Sequence, residues 1–108
     1  MNHTEPVIRG QVLHVLAERE GIASAMGLVL LMKALDLVGI SLSARELAER
    51  LVYLEGKGYV TLSRRSDLPN WDRGKTGAGR PRDVLSARLT ATGQDIVDGT
   101  AKDPGVER

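Results

Sequence analysis

Ser43-Ala44-Arg45-Glu46-Leu47-Ala48-Glu49-Arg50-Leu51-Val52-Tyr53-Leu54-Glu55-Gly56-Lys57-Gly58-Tyr59-Val60 runs from a helix start, through a helix stop, into a strand. Ser43 followed three residues later by Glu46 is a capping box, in which each side chain satisfies a backbone N–H that the first helical turn leaves unpaired. Ala44, Leu47, Ala48, Leu51 and Leu54 then recur at helical spacing, which predicts a third helix over 44–57. Gly56 and Gly58 offer the left-handed stop. Tyr59-Val60-Thr61-Leu62-Ser63 has the β-branched and aromatic content of a strand.

Upstream, Thr4 and Pro6 suit a helix start, and Val7, Ile8, Val12, Val15 and Leu16 keep helical period, predicting a first helix from Glu5 to Arg19. A second helix is predicted from Ala23 to Gly39. Its run from Met26 to Val38 is apolar nearly all round, so it must be buried on more than one side or lend part of its surface to self-association, with Leu28, Leu31, Met32 and Leu35 the candidates. Downstream, residues 66–82 lack any apolar period and are rich in Gly, Pro and Asn, a loop longer than compact domains usually carry without a functional reason. Val84 to Thr90 reads as the returning strand of a long hairpin. Thr90 caps a last short helix, Ala91 to Asp98, ended by Gly99, and residues 100–108 are expected to form a flexible tail.

The 108 residues make one domain, expected over 1–99. With 42% apolar and 27% charged residues the chain is globular in composition, and with only Tyr53, Tyr59 and Trp71 as aromatics its core is aliphatic, which suits helices. Cysteine is absent, excluding a disulfide framework, a thiolate zinc site and a cysteine nucleophile. His3 and His14 stand in no nucleophile motif and form no metal-ligand spacing. Gly74-Lys75-Thr76 resembles the end of a phosphate-binding P-loop, but Pro69 stands where the leading glycine belongs. These features argue against an enzyme. No cofactor, metal or small-molecule ligand is expected. The absence of a signal peptide and of an apolar run of about 20 residues makes a cytoplasmic, non-membrane protein the expectation.

Three helices, a hairpin and a further helix follow the order of a winged helix-turn-helix, a mainly α fold with a small two-stranded β wing (α+β). Leu47 to Val60 resembles the ending of helix three in MarR-, ArsR- and PadR-like regulators, and Arg88-Leu89-Thr90-Ala91-Thr92-Gly93 resembles the start of their helix after the wing. The similarity spans about residues 7–99. The ending Gly99-Thr100-Ala101-Lys102-Asp103-Pro104-Gly105-Val106-Glu107-Arg108 further resembles small stand-alone winged-helix proteins encoded by Mu-like prophages, from which the long wing departs. The resemblance implies a DNA-binding transcriptional regulator and a homodimer, with helix one the expected contributor to self-association.

The third helix does not simply endorse that role. Its apolar face centres near Leu51, so Glu46, Glu49 and Tyr53 point outward with Arg45 and Arg50 beside them. Arg45 with Glu49, and Glu46 with Arg50, are four apart and can pair with each other, leaving two readings: a solvated, self-satisfied face, or a groove-reading face of Arg45, Arg50 and Tyr53. The wing speaks more clearly. Arg64, Arg65, Arg73, Lys75, Arg80 and Arg82 face only Asp67 and Asp72, so residues 64–82 carry +4 while the whole chain carries +1. Positive charge on a glycine-rich loop suits phosphate contact. Gly79-Arg80-Pro81-Arg82 resembles the core of an AT-hook, which lays arginines into a narrow minor groove. Trp71 either stacks on a base or packs on its own domain. Double-stranded DNA is therefore the expected partner. The alternative is a winged helix used for protein–protein contact, without sequence-specific DNA binding.

Overall fold

The computed structural model describes residues 4–21, 24–65 and 84–106. Four helices and a three-stranded antiparallel sheet follow one another as α1 (Glu5–Arg19), β1 (Met26–Gly27), α2 (Leu28–Leu37), α3 (Ala44–Gly56), β2 (Val60–Arg64), β3 (Val84–Leu89) and α4 (Ala91–Asp98). The fold is mixed α+β. Among the described residues no helix is long and apolar enough to cross a membrane.

Local signals account for most boundaries. The Ser43 and Glu46 capping box is formed in both directions, with Ser43 N–H donating to Glu46 Oε1 at 2.9 Å and Glu46 N–H to Ser43 Oγ at 3.1 Å. α3 stops where Gly58 takes φ +82°, letting the N–H groups of Gly58 and Tyr59 turn back onto the carbonyls of Glu55 and Leu54. α4 is capped by Thr90 Oγ1, which accepts from Gly93 N–H at 3.0 Å.

The second helix is shorter than predicted, because the start of its apolar run is extended. Met26 and Gly27 pair with Ala87 and Ser86, giving the sheet the order β1-β3-β2 in place of a two-stranded hairpin. Val60 faces Leu89, Thr61 faces Arg88 and Leu62 faces Ala87, with a register shift at Ser63 and Arg64. One sheet face thus sends Met26, Val60, Val84, Ala87 and Leu89 inward. They join Val12, Leu13, Leu16, Leu31, Leu35, Leu47, Leu51 and Leu54 in a single aliphatic core. Burying a leucine contributes about 1.5–3 kcal/mol, so the core rests on methyl packing, as the composition requires.

Residues 100–106 differ from the expected flexible tail. Asp103 and Val106 form an antiparallel bridge, and Val106, 5% exposed, packs into the core. The turn also lies against α3, because a Cβ built on Gly105 would collide with the Tyr53 hydroxyl.

Candidate nucleic-acid interface

The exposed surface of α3 is its first half. Ser43, Ala44, Arg45, Glu46 and Glu49 all face solvent. Arg45 is 84% exposed and its Nε lies 3.3 Å from Glu49 Oε1 one turn on. Glu46 is held below the usual carboxylate range by the Ser43 backbone N–H, then by the Ser43 hydroxyl, with Arg50 adding a smaller attraction. It stays ionised and committed to the cap.

Arg50 and Tyr53 do not face the open side. Arg50 reaches across to α1, donating to Glu5 Oε2 at 2.8 Å and to the Glu46 carbonyl at 3.0 Å, and is only 19% exposed. Arg9 of α1 lies over the Tyr53 ring, its guanidinium carbon 3.7 Å from the centroid, and donates to the Gly105 carbonyl at 3.2 Å. Stacking on the aromatic face suits a planar guanidinium. Glu5, Arg9, Glu49, Arg50 and Tyr53 surround a cavity of about 250 Å³ between α1 and α3. The predicted Glu46–Arg50 side-chain pair is replaced by Arg50 on the Glu46 backbone, since the Glu46 carboxylate already serves the cap.

At the hairpin, Arg64 points to the inner side and grips Glu55 of α3 with both terminal nitrogens, at 2.6 and 2.7 Å. Two parallel charge-assisted bonds tie β2 to the end of α3, so Arg64 positions the hairpin. Arg65, at the end of the described stretch 24–65, is exposed. Arg73, Lys75, Arg80 and Arg82, together with Trp71, lie outside the described residues. Of the expected contacts, Arg45 and Arg65 are therefore outward, while Arg50, Tyr53 and Arg64 are engaged within the fold.

Three further residues escaped the sequence reading. Arg88 is exposed on β3 between buried Ala87 and Leu89, which strand alternation alone would have indicated. Arg9 and Asp103 carry no local signal, because their partners are distant in the chain. Asp103 accepts from the Tyr59 hydroxyl and from Gly105 N–H, with Lys57 Nζ 3.8 Å away.

This contact makes a titration prediction. The Tyr59 phenol is pushed up to about 12, first by its hydrogen bond to Asp103, then by burial and by the Asp103 charge. Asp103 is held below the usual carboxylate range, chiefly by the same bond and by Gly105 N–H. The Tyr59 contribution to stability is complete below the ordinary tyrosine value near 10 and is lost as pH rises from there through 12. The Asp103 contribution is present above the ordinary carboxylate range and fades as pH falls below it. Followed by the ultraviolet absorbance of tyrosinate, one of the two tyrosines should ionise only near 12, and Asp103→Asn should bring it down toward 10. Unchanged titration in the variant would contradict the contact.

Among the described residues no group of three or more His, Cys, Asp or Glu side chains is placed to hold a metal ion. No protein-family model, curated protein or solved structure matches the chain.

Proposed function

We propose that this chain is a winged-helix DNA-binding protein, a transcriptional regulator that acts by binding rather than by catalysis. The element order α1-β1-α2-α3-β2-β3-α4, with a β1-β3-β2 sheet, supports the fold assignment. The observation that carries the functional reading is the pairing of an exposed α3 start with a hairpin segment of net charge +4, in a chain whose remainder sums to −3. A basic segment between β2 and β3 is what phosphate contact by a wing would require.

Energetics divide the labour. Swinging Arg45 off Glu49 gives up a surface pair worth about 0.2–0.5 kcal/mol, less than the about 1–3 kcal/mol of discrimination from a good base contact. Arg45 is thus free to read, and Glu49 is a candidate acceptor for a cytosine amino group. Arg50 would have to abandon Glu5 in a partly buried setting, so it and Tyr53 belong to the support of α3. Affinity then falls to Arg65, Arg73, Lys75, Arg80 and Arg82, with Arg80 and Arg82 entering the minor groove.

Engagement of four to six phosphates should make the logarithm of affinity fall with the logarithm of salt at a slope of roughly −4 to −5. Fluorescence anisotropy with labelled random duplex measures this. Salt-insensitive or undetectable binding would overturn the reading. It would favour protein–protein contact, to which the self-paired Arg45 and Glu49 and the engaged Arg50 and Tyr53 are already suited.

A further inference from the structure

α2 buries Leu31 and Leu35 and exposes Val29, Leu30, Leu37 and Val38, four side chains without a hydrogen-bonding group. The exposed start of α3 is chemically richer. Its charged side chains are Arg45, Glu46 and Glu49, and Glu46 is committed to the cap. Arg45 and Glu49 meet in a particular way: their nearest atoms are Arg45 Nε and Glu49 Oε1, at 3.3 Å. Among the described residues no hydrogen bond engages the two terminal nitrogens of Arg45 or the second oxygen of Glu49. The pair therefore sets the two side chains next to each other and leaves the guanidinium fork and one carboxylate oxygen open. Both side chains are solvent-accessible, Glu49 by half.

We propose that Arg45 and Glu49 act as one unit that reads a single C·G base pair in the major groove, Glu49 on the cytosine and Arg45 on the guanine. This rests on the DNA-binding reading above and adds a base identity to it. A C·G pair presents the cytosine N4 amino donor beside the guanine O6 and N7 acceptors. The open Glu49 oxygen accepts from N4, and the two terminal nitrogens of Arg45 donate to O6 and N7 while Nε stays on Glu49. Reading then needs no parting of the pair, whose attraction orients the arginine before the duplex arrives. Their place in the first half of α3 also fits, because a recognition helix contacts base edges with its N-terminal residues. Each other base pair fails on one side. The reversed pair, G·C, sets the carboxylate against O6 and N7, two acceptors. T·A sets it against thymine O4. A·T supplies adenine N6 to Glu49 but leaves Arg45 with O4 alone, one bond in place of two. A merely basic surface would not distinguish C·G from its reverse.

Sequencing of the duplexes that the full chain retains from a random pool should show a C·G-dominated position that is lost from the selection made with Arg45→Ala. Competition anisotropy with the four base pairs at that position should give C·G a preference of roughly 10–100-fold over G·C and T·A, and a smaller one over A·T. Glu49→Gln should cut the preference for C·G over A·T by about tenfold or more, because a glutamine carboxamide pairs with adenine N6 and N7. Melting of each variant beside the parent shows that a lost preference is not a lost fold. Undetectable duplex binding would overturn the DNA-binding reading and this inference together. Salt-dependent binding with no such position in the selected pool, or with base preferences that Glu49→Gln leaves unchanged, would overturn this inference alone.

Discussion

Gly93→Ala is expected to lower stability by about 2–3 kcal/mol, although alanine is the better helix former by about 1 kcal/mol. Gly93 is the third residue of α4, and a Cβ there would sit 2.2 Å from the Tyr59 carbonyl oxygen and 2.8 Å from Leu89 Cδ1. The leucine can rotate, but the carbonyl is pinned. It accepts Thr90 N–H at 3.0 Å, and the Thr90 hydroxyl donates to the neighbouring Gly58 carbonyl at 2.7 Å. Gly58 itself holds the left-handed turn that ends α3. Relieving the collision must therefore shift α4 or the α3 to β2 connection, disturbing core contacts at Leu89 and Ile96. The control is Gly56→Ala, at an exposed helical position where a Cβ meets nothing within 4 Å. It should be neutral or stabilising by up to about 1 kcal/mol. Urea and thermal melts of the two variants separate steric from propensity effects. Gly93→Ala melting at or above the parent temperature would refute the close approach. The Leu89-Thr90-Ala91-Thr92-Gly93 run thus has a mechanical reason: cap, first turn, and a notch for the α3 end.

What the sequence made legible follows the range of the interactions. α3, one residue shorter than expected, and α4 follow the expectation because Ser43 with Glu46, Gly58, Thr90 and Gly99 act on backbone within a few residues of themselves, while α1 runs Glu5–Arg19 as its apolar period and Pro6 predict, although the Thr4 side chain makes no cap bond. β1 was hidden because its two residues open a continuous apolar run, and only pairing with Ala87 and Ser86 makes them a strand. The apolar face of α3 centres on fully buried Leu51, as its spacing predicts, but its flanks depend on distant chain. Glu5 draws in Arg50 from 45 positions away, and residues 103–106 return to Tyr53 through Arg9 and Gly105. A helical wheel assigns directions within one helix and contains no neighbour. The same limit applies to α2, where period-based reading took the whole apolar surface as core or seam without separating Leu31 from Leu30.

The correction at Arg50 sharpens the DNA-binding reading into a comparison between two substitutions. Arg80→Ala with Arg82→Ala should reduce duplex affinity by roughly 10–100-fold at low salt and flatten the salt slope by about 2, one unit per phosphate contact removed. A melting temperature measured on the same samples separates loss of contact from loss of fold. Arg50→Ala should do the reverse. Losing a part-buried, charge-assisted contact to Glu5 and a bond to the Glu46 carbonyl costs about 1–3 kcal/mol of stability, while duplex affinity of the folded protein should stay within about twofold. Glu5 is 42% exposed and retains Arg9 at 3.6 Å, so its charge is not left stranded and the loss belongs at the lower end of that range. Anisotropy and melting on the same samples decide between arrangements. If Arg50→Ala abolishes binding in a protein that melts normally, Arg50 leaves Glu5 on the duplex and α3 is a base-reading helix. If both substitutions leave binding intact, positive charge on residues 64–82 serves some contact other than DNA.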